Sequence, residues 1–409
     1  MSSQTAVFAA EDFTSYRSLR PVADILSREM DVEFLFLDEH FRRFTQDERD
    51  VLIPKAEVDF DFRQGIDYMR LPIVKRKPST PWAITQRLLT DLGSYQLAFD
   101  IRGYVNEVEP TLFVSGVDTS PFIRHVIREC HDNECTTATI QHGIYEYALD
   151  AESLNNRLFF PNVVREIGPV EYLKRRVGFP YGITEYCHPY LDIVMTMGTF
   201  FTEQIRNFRE EYPDFGKTTV ETTGTPEFSN SSTPYEGNSD SMLFLSQTQY
   251  EGGSWTWNQT KRLVEWLCGL DEQRPLTVRP HPKDSEEKIR LFDAHLEVST
   301  DNSLEDDIRS HDIILTVNST AMFEGVIQGK ACGVLQLPWD NSEFACRVHD
   351  HILQIDSPDV DVPHEAQRRS RETQRDFLNR FCFLPGDHEE VQAKNSADLI
   401  AQLLLNAQS

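Results

Sequence analysis

Short apolar runs alternate with amphipathic stretches along most of the chain. Apolar, β-branched runs that end at polar turn residues predict buried strands, and this alternation is typical of α/β domains with parallel sheets. The pattern predicts a first series of strands at Thr5–Ala10, Asp31–Asp38, Thr111–Ser115, Thr136–Gln141, Asp192–Met197 and Thr218–Thr223. It predicts a second series at Met242–Ser246, Leu276–Arg279, Leu296–Ser299, Ile313–Val317 and Gly333–Gln336.

Stretches with apolar positions three or four residues apart predict helices between these strands. They lie at Ser18–Met30, 94–107, Pro121–Cys130, a segment ending at Phe208, Asn258–Leu270, Ser285–Ala294, Ser303–Arg309, Ala321–Gln328, Pro363–Phe381 and Ser396–Ala407. Residues 39–90 and 150–188 carry no comparable regularity, and prolines interrupt the first of these segments.

Residues 229–241 are almost wholly polar and turn-forming, which is typical of a linker. They divide the chain into an N-terminal domain at 1–228 and a C-terminal domain at 242–395. Residues 396–409 form a closing helix that we expect to cross back to the first domain. The expected fold class is α/β, with two Rossmann-like domains facing each other across a cleft.

The charge of the chain excludes one class of partner. With 66 acidic and 40 basic residues the net charge is −26, so a nucleic-acid backbone would be repelled. Ten of the 40 basic residues are lysines. Many carboxylates with few lysines are typical of salt-accumulating halophiles, where salt screens the self-repulsion. An acidic mesophilic protein is the alternative.

Location follows from the cysteines and from the missing targeting segments. The seven cysteines show neither paired Cys-x-x-Cys spacing nor an even count, which favours free thiols in a reducing cytoplasm. No apolar run is long enough to span a membrane, and the N-terminus lacks a signal-peptide pattern. We therefore expect a soluble cytoplasmic protein.

The segment Val278-Arg279-Pro280-His281-Pro282 ends a predicted strand of the second series. Ligands of open α/β sheets bind outside the carboxyl ends of the strands. Pro280 and Pro282 stiffen the turn on either side of His281. An imidazole beside a guanidinium suits a contact with phosphate or ribose. Arg279, His281 and Pro282 are therefore candidate donor-binding residues, the alternative being a structural histidine in an ordinary loop.

A second candidate site follows the strand Ile313–Val317. Asn318, Ser319 and Thr320 form a polar turn before a new helix, and a helix N-terminus attracts phosphate. Ser319 and Thr320 are residues typical of N-caps. Glu324, one turn into the helix, is placed to accept hydrogen bonds from ribose hydroxyls. An ordinary cap with a solvated glutamate is the alternative.

Two segments of the first domain complete the candidates. Gln141-His142-Gly143 ends a strand, so a neutral His142 is a candidate general base. The alternatives are a structural His142, or an acidic base at Asp38, Glu39, Asp118 or Glu146. Gly224 and Pro226, just before the linker, are candidate hinge residues.

Other phosphate-binding patterns are missing. The sequence contains neither a Gly-x-Gly-x-x-Gly fingerprint after either first strand nor a Walker-type loop, which disfavours a dinucleotide cofactor. Asp359-Val360-Asp361 has Asp-x-Asp spacing but lies beside prolines, away from a strand end. We therefore expect no metal and no cofactor, with the activated donor as substrate.

The order of these motifs resembles GT-B transferases of surface-polymer synthesis. These include capsule-type glycosyltransferases, bacterial sialyl- and Kdo-type transferases, and CDP-glycerol glycerophosphotransferases. The motifs that carry the resemblance are Gln141-His142-Gly143, Gly224-Thr225-Pro226, Arg279-Pro280-His281-Pro282, Asn318-Ser319-Thr320, Phe323-Glu324 and Gly329-Lys330. Here Gly325 replaces the usual alanine and Ala331 the usual proline, and an acidic motif of the sialyltransferase kind is missing.

The resemblance implies roles for these residues. His281 would contact the phosphate or ribose of the donor, Ser319 and Thr320 the phosphate, Glu324 the ribose, and His142 would be the base. It implies a metal-independent glycosyltransferase that binds a nucleotide-sugar donor in the C-terminal domain. The acceptor, a glycan or a lipid-linked glycan, would bind on the N-terminal side, at the inner face of the membrane.

Three alternatives to this function stay open. A polyol-phosphate transferase would use a CDP-glycerol-type donor. An enzyme of the UDP-GlcNAc 2-epimerase kind shares the fold and needs no acceptor. A catalytically silent GT-B-like subunit would bind nucleotide or a partner without turnover.

Overall fold

The computed structural model describes residues 4–10, 13–36, 61–63, 102–116, 121–141, 190–211, 218–228, 241–251, 255–340, 349–362, 371–385 and 395–408. The chain divides into two compact units. The first comprises Met1–Ser229 together with Leu384–Ser409, and the second is Asn230–Phe383. Each unit contains one parallel β-sheet.

The sheet of the first unit has seven strands in the order β3-β2-β1-β4-β5-β6-β7. They are β1 Thr5–Ala10, β2 Asp31–Phe36, β3 Asp61–Arg63, β4 Leu112–Ser115, β5 Thr136–Ile140, β6 Ile193–Thr196 and β7 Thr219–Thr222. The helices described in this unit are Phe13–Leu26, 102–108, Pro121–Asp132, Thr199–Glu211 and Ser396–Gln408, with a 3-10 turn at Pro226–Phe228.

Strand β1, in the interior of this sheet, is buried on both faces. Phe8 packs in one apolar cluster and Val7 in another, because successive side chains of a strand point to opposite faces. The terminal helix Ser396–Gln408 adds Ile400 and Leu404 to the cluster that contains Phe8. The end of the chain is therefore part of the core of the first unit.

The sheet of the second unit has six strands in the order β10-β9-β8-β11-β12-β13. They are β8 Met242–Leu245, β9 Leu276–Arg279, β10 Glu297–Val298, β11 Ile313–Thr316, β12 Ala331–Leu335 and β13 Leu353–Ile355. The helices described in this unit are Trp257–Asp271, Glu286–Asp293, Leu304–Ser310, Met322–Ile327 and Arg371–Phe381.

Both sheets reverse their strand order beside the first strand of the unit, which is β1 in one and β8 in the other. This order confirms the prediction of two Rossmann-like domains. In open parallel sheets the crevice at such a reversal, at the carboxyl ends of the strands, is where ligands bind. In the second unit this is the point between β8 and β11.

One predicted helix is shifted in the structure, and two strands of the structure were not predicted. The predicted helix Ser18–Met30 runs instead from Phe13 to Leu26, with Pro21 inside it, and a turn follows in which Met30 N donates to Leu26 O. The strands β3 and β13 were not predicted. Of the predicted helix Pro363–Phe381, the structure describes Arg371–Phe381, and residues 363–370 lie outside the described residues.

Within the described ranges, no helix combines the length and the apolar character that crossing a membrane requires. The cysteines that the structure describes are free thiols, at 130, 135, 268, 332 and 382.

Candidate functional site

The predicted donor-binding residues gather at the carboxyl edge of the second sheet. Arg279 and Thr316, the last residues of β9 and β11, both pair with Leu245 of the strand between them. The loops that carry His281 and Ser319 therefore start on either side of β8, roughly 10 Å apart given the spacing of strands. This is the strand-order reversal of the unit.

The His281 loop is fixed by its own hydrogen bonds. His281 N donates to Asp284 Oδ2 over 2.9 Å, and Asp284 N donates to His281 O over 2.8 Å. Lys283 N donates to Nδ1 of the imidazole over 3.1 Å. Since Nδ1 accepts, the proton of the neutral ring lies on Nε2, which becomes a hydrogen-bond donor.

The protonation of His281 follows from its surroundings. Burial lowers the pKa of the imidazole below its ordinary value, and the ammonium groups of Lys283 and Lys288 act in the same direction. The Asp284 carboxylate opposes them. The ring is therefore neutral at pH 7, and it offers a phosphate an N–H rather than a full charge.

The guanidinium of Arg279 forms an ion pair with a buried carboxylate. Its NH1 donates to Asp307 Oδ2 over 3.0 Å and to the carbonyl of Asn302. Asp307 also accepts from Ser299 Oγ over 2.8 Å and has only 1% of its side chain exposed. A buried carboxylate needs such a partner, so the guanidinium first serves to neutralise Asp307.

The polar turn after β11 differs in detail from the predicted cap. The N-cap of the helix Met322–Ile327 is Ala321, which has no side-chain cap bond. Ser319 instead donates its N–H to Thr316 Oγ1 over 3.0 Å and accepts from Ala321 N through Oγ over 3.3 Å. The prediction that Ser319 or Thr320 caps the helix is therefore wrong, because the turn places the first helical residue later.

Thr320 lies in the same turn and has two groups that can donate hydrogen bonds, its N–H and its hydroxyl. Its carbonyl accepts from Phe323 N over 2.9 Å. Within the part of the chain that the structure describes, neither its N–H nor its hydroxyl forms a hydrogen bond. Glu324 lies in the first turn of the following helix and is half-buried, and Pro282 is exposed beside His281.

The loops after β8 and β11 are joined across the reversal. Gln249 Nε2 donates to Asn318 Oδ1 over 2.8 Å, which ties two segments that are 69 residues apart in sequence. Ser246, the residue after β8, is 4% exposed, and its hydroxyl has no partner among the described residues. This hydroxyl lies at the carboxyl end of β8, the edge at which ligands of open α/β sheets bind.

A buried ion cluster supports the same edge. Lys288 Nζ lies 2.8 Å from Asp284 Oδ1 and 3.4 Å from Glu251 Oε2, and it donates to the carbonyl of Gln247. Glu251 Oε1 accepts from both the N–H and the hydroxyl of Ser285, over 3.0 and 3.1 Å. Burial by itself would raise the pKa of Glu251, but the Ser285 hydrogen bonds and the Lys288 charge hold that pKa below its ordinary value.

The Gly329-Lys330 pair of the motif lies at the opposite edge of the sheet. Gly329 follows the helix Met322–Ile327 with φ 74°, which favours glycine, and Lys330 immediately precedes β12. Lys330 is 5% exposed, and its Nζ donates to Arg309 O over 3.0 Å. This pair therefore shapes the entry to a strand and does not join the candidate site.

The predicted residues of the first unit are only partly described. Gln141 directly follows β5 and accepts from Met197 N through Oε1 over 2.9 Å, while its own N–H donates to Met195 O. The candidate base His142 follows it but lies outside the described residues. Gly224 has φ 75° and donates to Thr196 O over 3.1 Å.

Pro226 is buried and opens the 3-10 turn Pro226–Phe228, whose Phe228 is also buried. The turn contacts the helices Phe13–Leu26 and Ser396–Gln408. Gly224 and Pro226 are therefore anchored in the first unit. Their role as a hinge stays a prediction.

The loop after β8 and its partner Lys288 were not predicted from the sequence. Ser246-Gln247-Thr248-Gln249 is a polar run at the carboxyl end of the first strand of the unit, where the strand-end rule already points. The sequence therefore contained a signal for this loop. It contained none for the burial of Lys288, because a lysine next to Glu286 and Glu287 is typical of a solvated helix face.

Comparisons with known proteins show the fold. No protein-family model matches this chain. No curated relative matches it either. Solved structures resemble it over nearly their whole length, and we compare it with three of them.

The glycotransferase of kitacinnamycin has a TM-score of 0.60 and 11% identity, with 99% of each chain covered. UGT2 of Phytolacca americana, complexed with UDP-2-fluoro-glucose and pterostilbene, has a TM-score of 0.56 and 11% identity, again with 99% of each covered. UDP-GlcNAc 2-epimerase from Neisseria meningitidis, bound to UDP-GlcNAc, has a TM-score of 0.52 and 11% identity, covering 98% of this chain and 99% of that one.

At this identity the likeness establishes architecture and not chemistry. Over nearly its whole length the fold of this chain resembles that of a glycosyltransferase and that of an epimerase. The chain therefore has the GT-B fold.

Proposed function

We propose that this protein is a metal-independent glycosyltransferase of surface-glycan synthesis. It moves a sugar from a nucleotide-activated donor to a glycan or lipid-linked acceptor, with no cofactor besides the donor. The observation that carries the proposal is a set of hydrogen-bond donors beside one strand-order reversal. They are the Nε2–H of His281 and the N–H and hydroxyl of Thr320. The Phytolacca protein of the same fold was solved with a UDP-sugar analogue.

The proposed donor site binds the phosphates with neutral hydrogen bonds. His281 donates from Nε2, Thr320 from its backbone and hydroxyl, and Ser319 and Asn318 hold the turn in place. Such preorganised donors stabilise the charge that grows on the departing phosphate. For Arg279 we propose an indirect part, since its NH1 already serves Asp307 and Asn302. Glu324 would accept from the ribose.

In the proposed reaction the base removes the proton of an acceptor hydroxyl. The acceptor oxygen then bonds to the anomeric carbon of the sugar, and the bond from that carbon to the phosphate oxygen breaks. The leaving nucleotide keeps the electron pair, and the N–H groups at the donor site receive its charge. His142 is the proposed base, and a lipid-linked acceptor would bring the protein to the inner face of the membrane.

The UDP-GlcNAc 2-epimerase reaction is the second candidate function. An epimerase from Neisseria meningitidis has the same fold, and the donor-site geometry serves either reaction. The difference is the acceptor. An epimerase converts the donor alone, whereas a transferase needs a hydroxyl to attack.

A nucleotide panel tests the proposal. UDP, GDP, CDP and CMP are titrated by calorimetry in the presence of EDTA, followed by incubation with the matching sugar donors and with CDP-glycerol. The proposal expects binding of one nucleotide without metal and turnover of its sugar donor only when an acceptor is present. Epimerised donor without acceptor would support the epimerase, and binding of CDP-glycerol alone would support a polyol-phosphate transferase. Absence of nucleotide binding contradicts the proposed site.

A further inference from the structure

The ammonium group of Lys288 is a buried charge of the second unit. Lys288 lies in the first turn of the helix Glu286–Asp293, and its side chain is 3% exposed. The Asp284 carboxylate that it contacts is 0% exposed, and that of Glu251 is 18% exposed. Charges in such a place are stable only when they are paired and hydrogen-bonded.

Each hydrogen bond described for this ammonium leads to one of two loops of the candidate site. Gln247 and Glu251 belong to the loop after β8, whose Gln249 reaches Asn318. Asp284 belongs to the loop after β9, and its second oxygen accepts the backbone N–H of His281. One charge therefore links the segment that carries Gln249 to the segment that carries His281.

The second carboxylate of the cluster reinforces the link. Glu251, from the first loop, accepts two hydrogen bonds from Ser285, the N-cap of the helix that carries Lys288. Asp284 and Glu251 contribute two negative charges against the single positive charge of Lys288. Without the ammonium, two carboxylates would face each other in a low-dielectric setting, and their repulsion would separate the loops.

We propose that Lys288 is a positioning residue of the donor site, which fixes the His281 loop against the Gln249 loop without touching the donor. This inference rests on the proposed nucleotide site. Lys288 has no place for a ligand contact, because its ammonium is enclosed by three oxygens of the protein. Its effect on binding is transmitted through Asp284 to His281 and through Gln247 and Glu251 to Gln249.

The chain offers a matched control. Lys330 is also a buried lysine of the second unit, 5% exposed, with its Nζ on Arg309 O. It lies at the opposite edge of the sheet, before β12. Lys288→Met and Lys330→Met therefore remove comparable buried charges, and only the first removes the link between the two loops.

The test measures nucleotide affinity by calorimetry and the hydrogen exchange of backbone amides in the full-length protein. Lys288→Met is expected to weaken binding by about tenfold to a hundredfold, the loss expected when a charge-assisted hydrogen bond no longer holds a loop. The amides of His281 and Ser285 should exchange faster. Lys330→Met should lower the melting temperature while the affinity and these two amides stay unchanged.

A second variant covers the case in which Lys288→Met does not fold. Lys288→Met with Glu251→Gln keeps the net charge of the cluster at its present value but still removes the link, so the same loss of affinity is expected. Wild-type affinity in either folded Lys288 variant overturns this inference and leaves the proposed function standing. A wild-type protein that binds none of the four nucleotides overturns both.

Discussion

Gln249 and Asn318 are joined by a 2.8 Å hydrogen bond that spans the strand-order reversal of the second sheet. Gln249 stands in the loop after β8, and Asn318 stands in the turn after β11. The amide of Gln249 donates and the Asn318 oxygen accepts. The bond fixes the distance between the two segments that would flank the donor phosphates.

Removal of this bridge should weaken nucleotide binding. Gln249→Ala and Asn318→Ala are each expected to lower affinity severalfold, and the pair should show a coupling of about 0.5–1.5 kcal/mol because both remove the same bond. A double-mutant cycle of nucleotide dissociation constants measures the coupling. Strictly additive effects would show that the bridge does not act on the site.

A substitution at His281 can remove the hydrogen-bond donor Nε2–H and still preserve the hydrogen bond from Lys283 N that holds the loop. In His281→Asn the new amide oxygen can still accept from Lys283 N, but the N–H at the Nε2 position is lost. We expect nucleotide affinity to fall by about tenfold, the value of one hydrogen bond to a charged group. His311→Asn is the control, since His311 Nδ1 contacts Asp307 O before β11, at the other edge of the sheet. Equal effects of the two variants on affinity would contradict the role of His281.

Stability should depend on pH through the same imidazole. Burial lowers the pKa of His281 in the folded protein below the ordinary 6.5, so the unfolded chain binds more protons in the interval between the two values. The contribution is fully present above pH 6.5 and declines as the pH falls toward the lowered pKa. The melting temperature of the wild type should therefore fall more than that of His281→Asn between pH 7.5 and about 5.5. A parallel decline of both proteins would contradict the lowered pKa.

The Arg279–Asp307 pair should act mainly on stability. Arg279→Met leaves a carboxylate that is 1% exposed without its cation, which costs about 3–5 kcal/mol. Arg279→Met with Asp307→Asn should recover most of the loss, as measured by denaturant unfolding. We expect nucleotide affinity within about threefold of the wild type in the double variant, since Arg279 is proposed to act indirectly. A larger loss would indicate the direct donor contact that the sequence predicts.

Two glycines of the first unit separate backbone strain from packing. Gly224 has φ 75°, so Gly224→Ala should cost about 1–2 kcal/mol. Gly103 lies in the helix 102–108, where an added Cβ meets nothing within 4 Å, so Gly103→Ala should stabilise by about 0.5–1 kcal/mol. Scanning calorimetry of both variants gives the comparison. A Gly224→Ala protein as stable as the wild type would show that the turn adopts another backbone conformation.

Local sequence patterns predicted most of the elements and the edge of the sheet at which the candidate residues lie. Apolar periodicity is a local property, so β1 and β9 have the predicted bounds, and the polar residues at their carboxyl ends could be recognised. Helix ends were less certain, because Ser319 and Thr320 favour a cap by type and the turn geometry placed Ala321 there instead.

Which side chains lie together in a site depends on contacts between distant parts of the chain. Lys288 becomes a buried link because Glu251 and Asp284 converge on it, and Arg279 is diverted to Asp307 because that carboxylate is buried nearby. Gly329-Lys330 is not part of the candidate site, because it lies at the opposite edge of the sheet. Burial and charge pairing depend on residues far apart along the chain, so no local pattern encodes them.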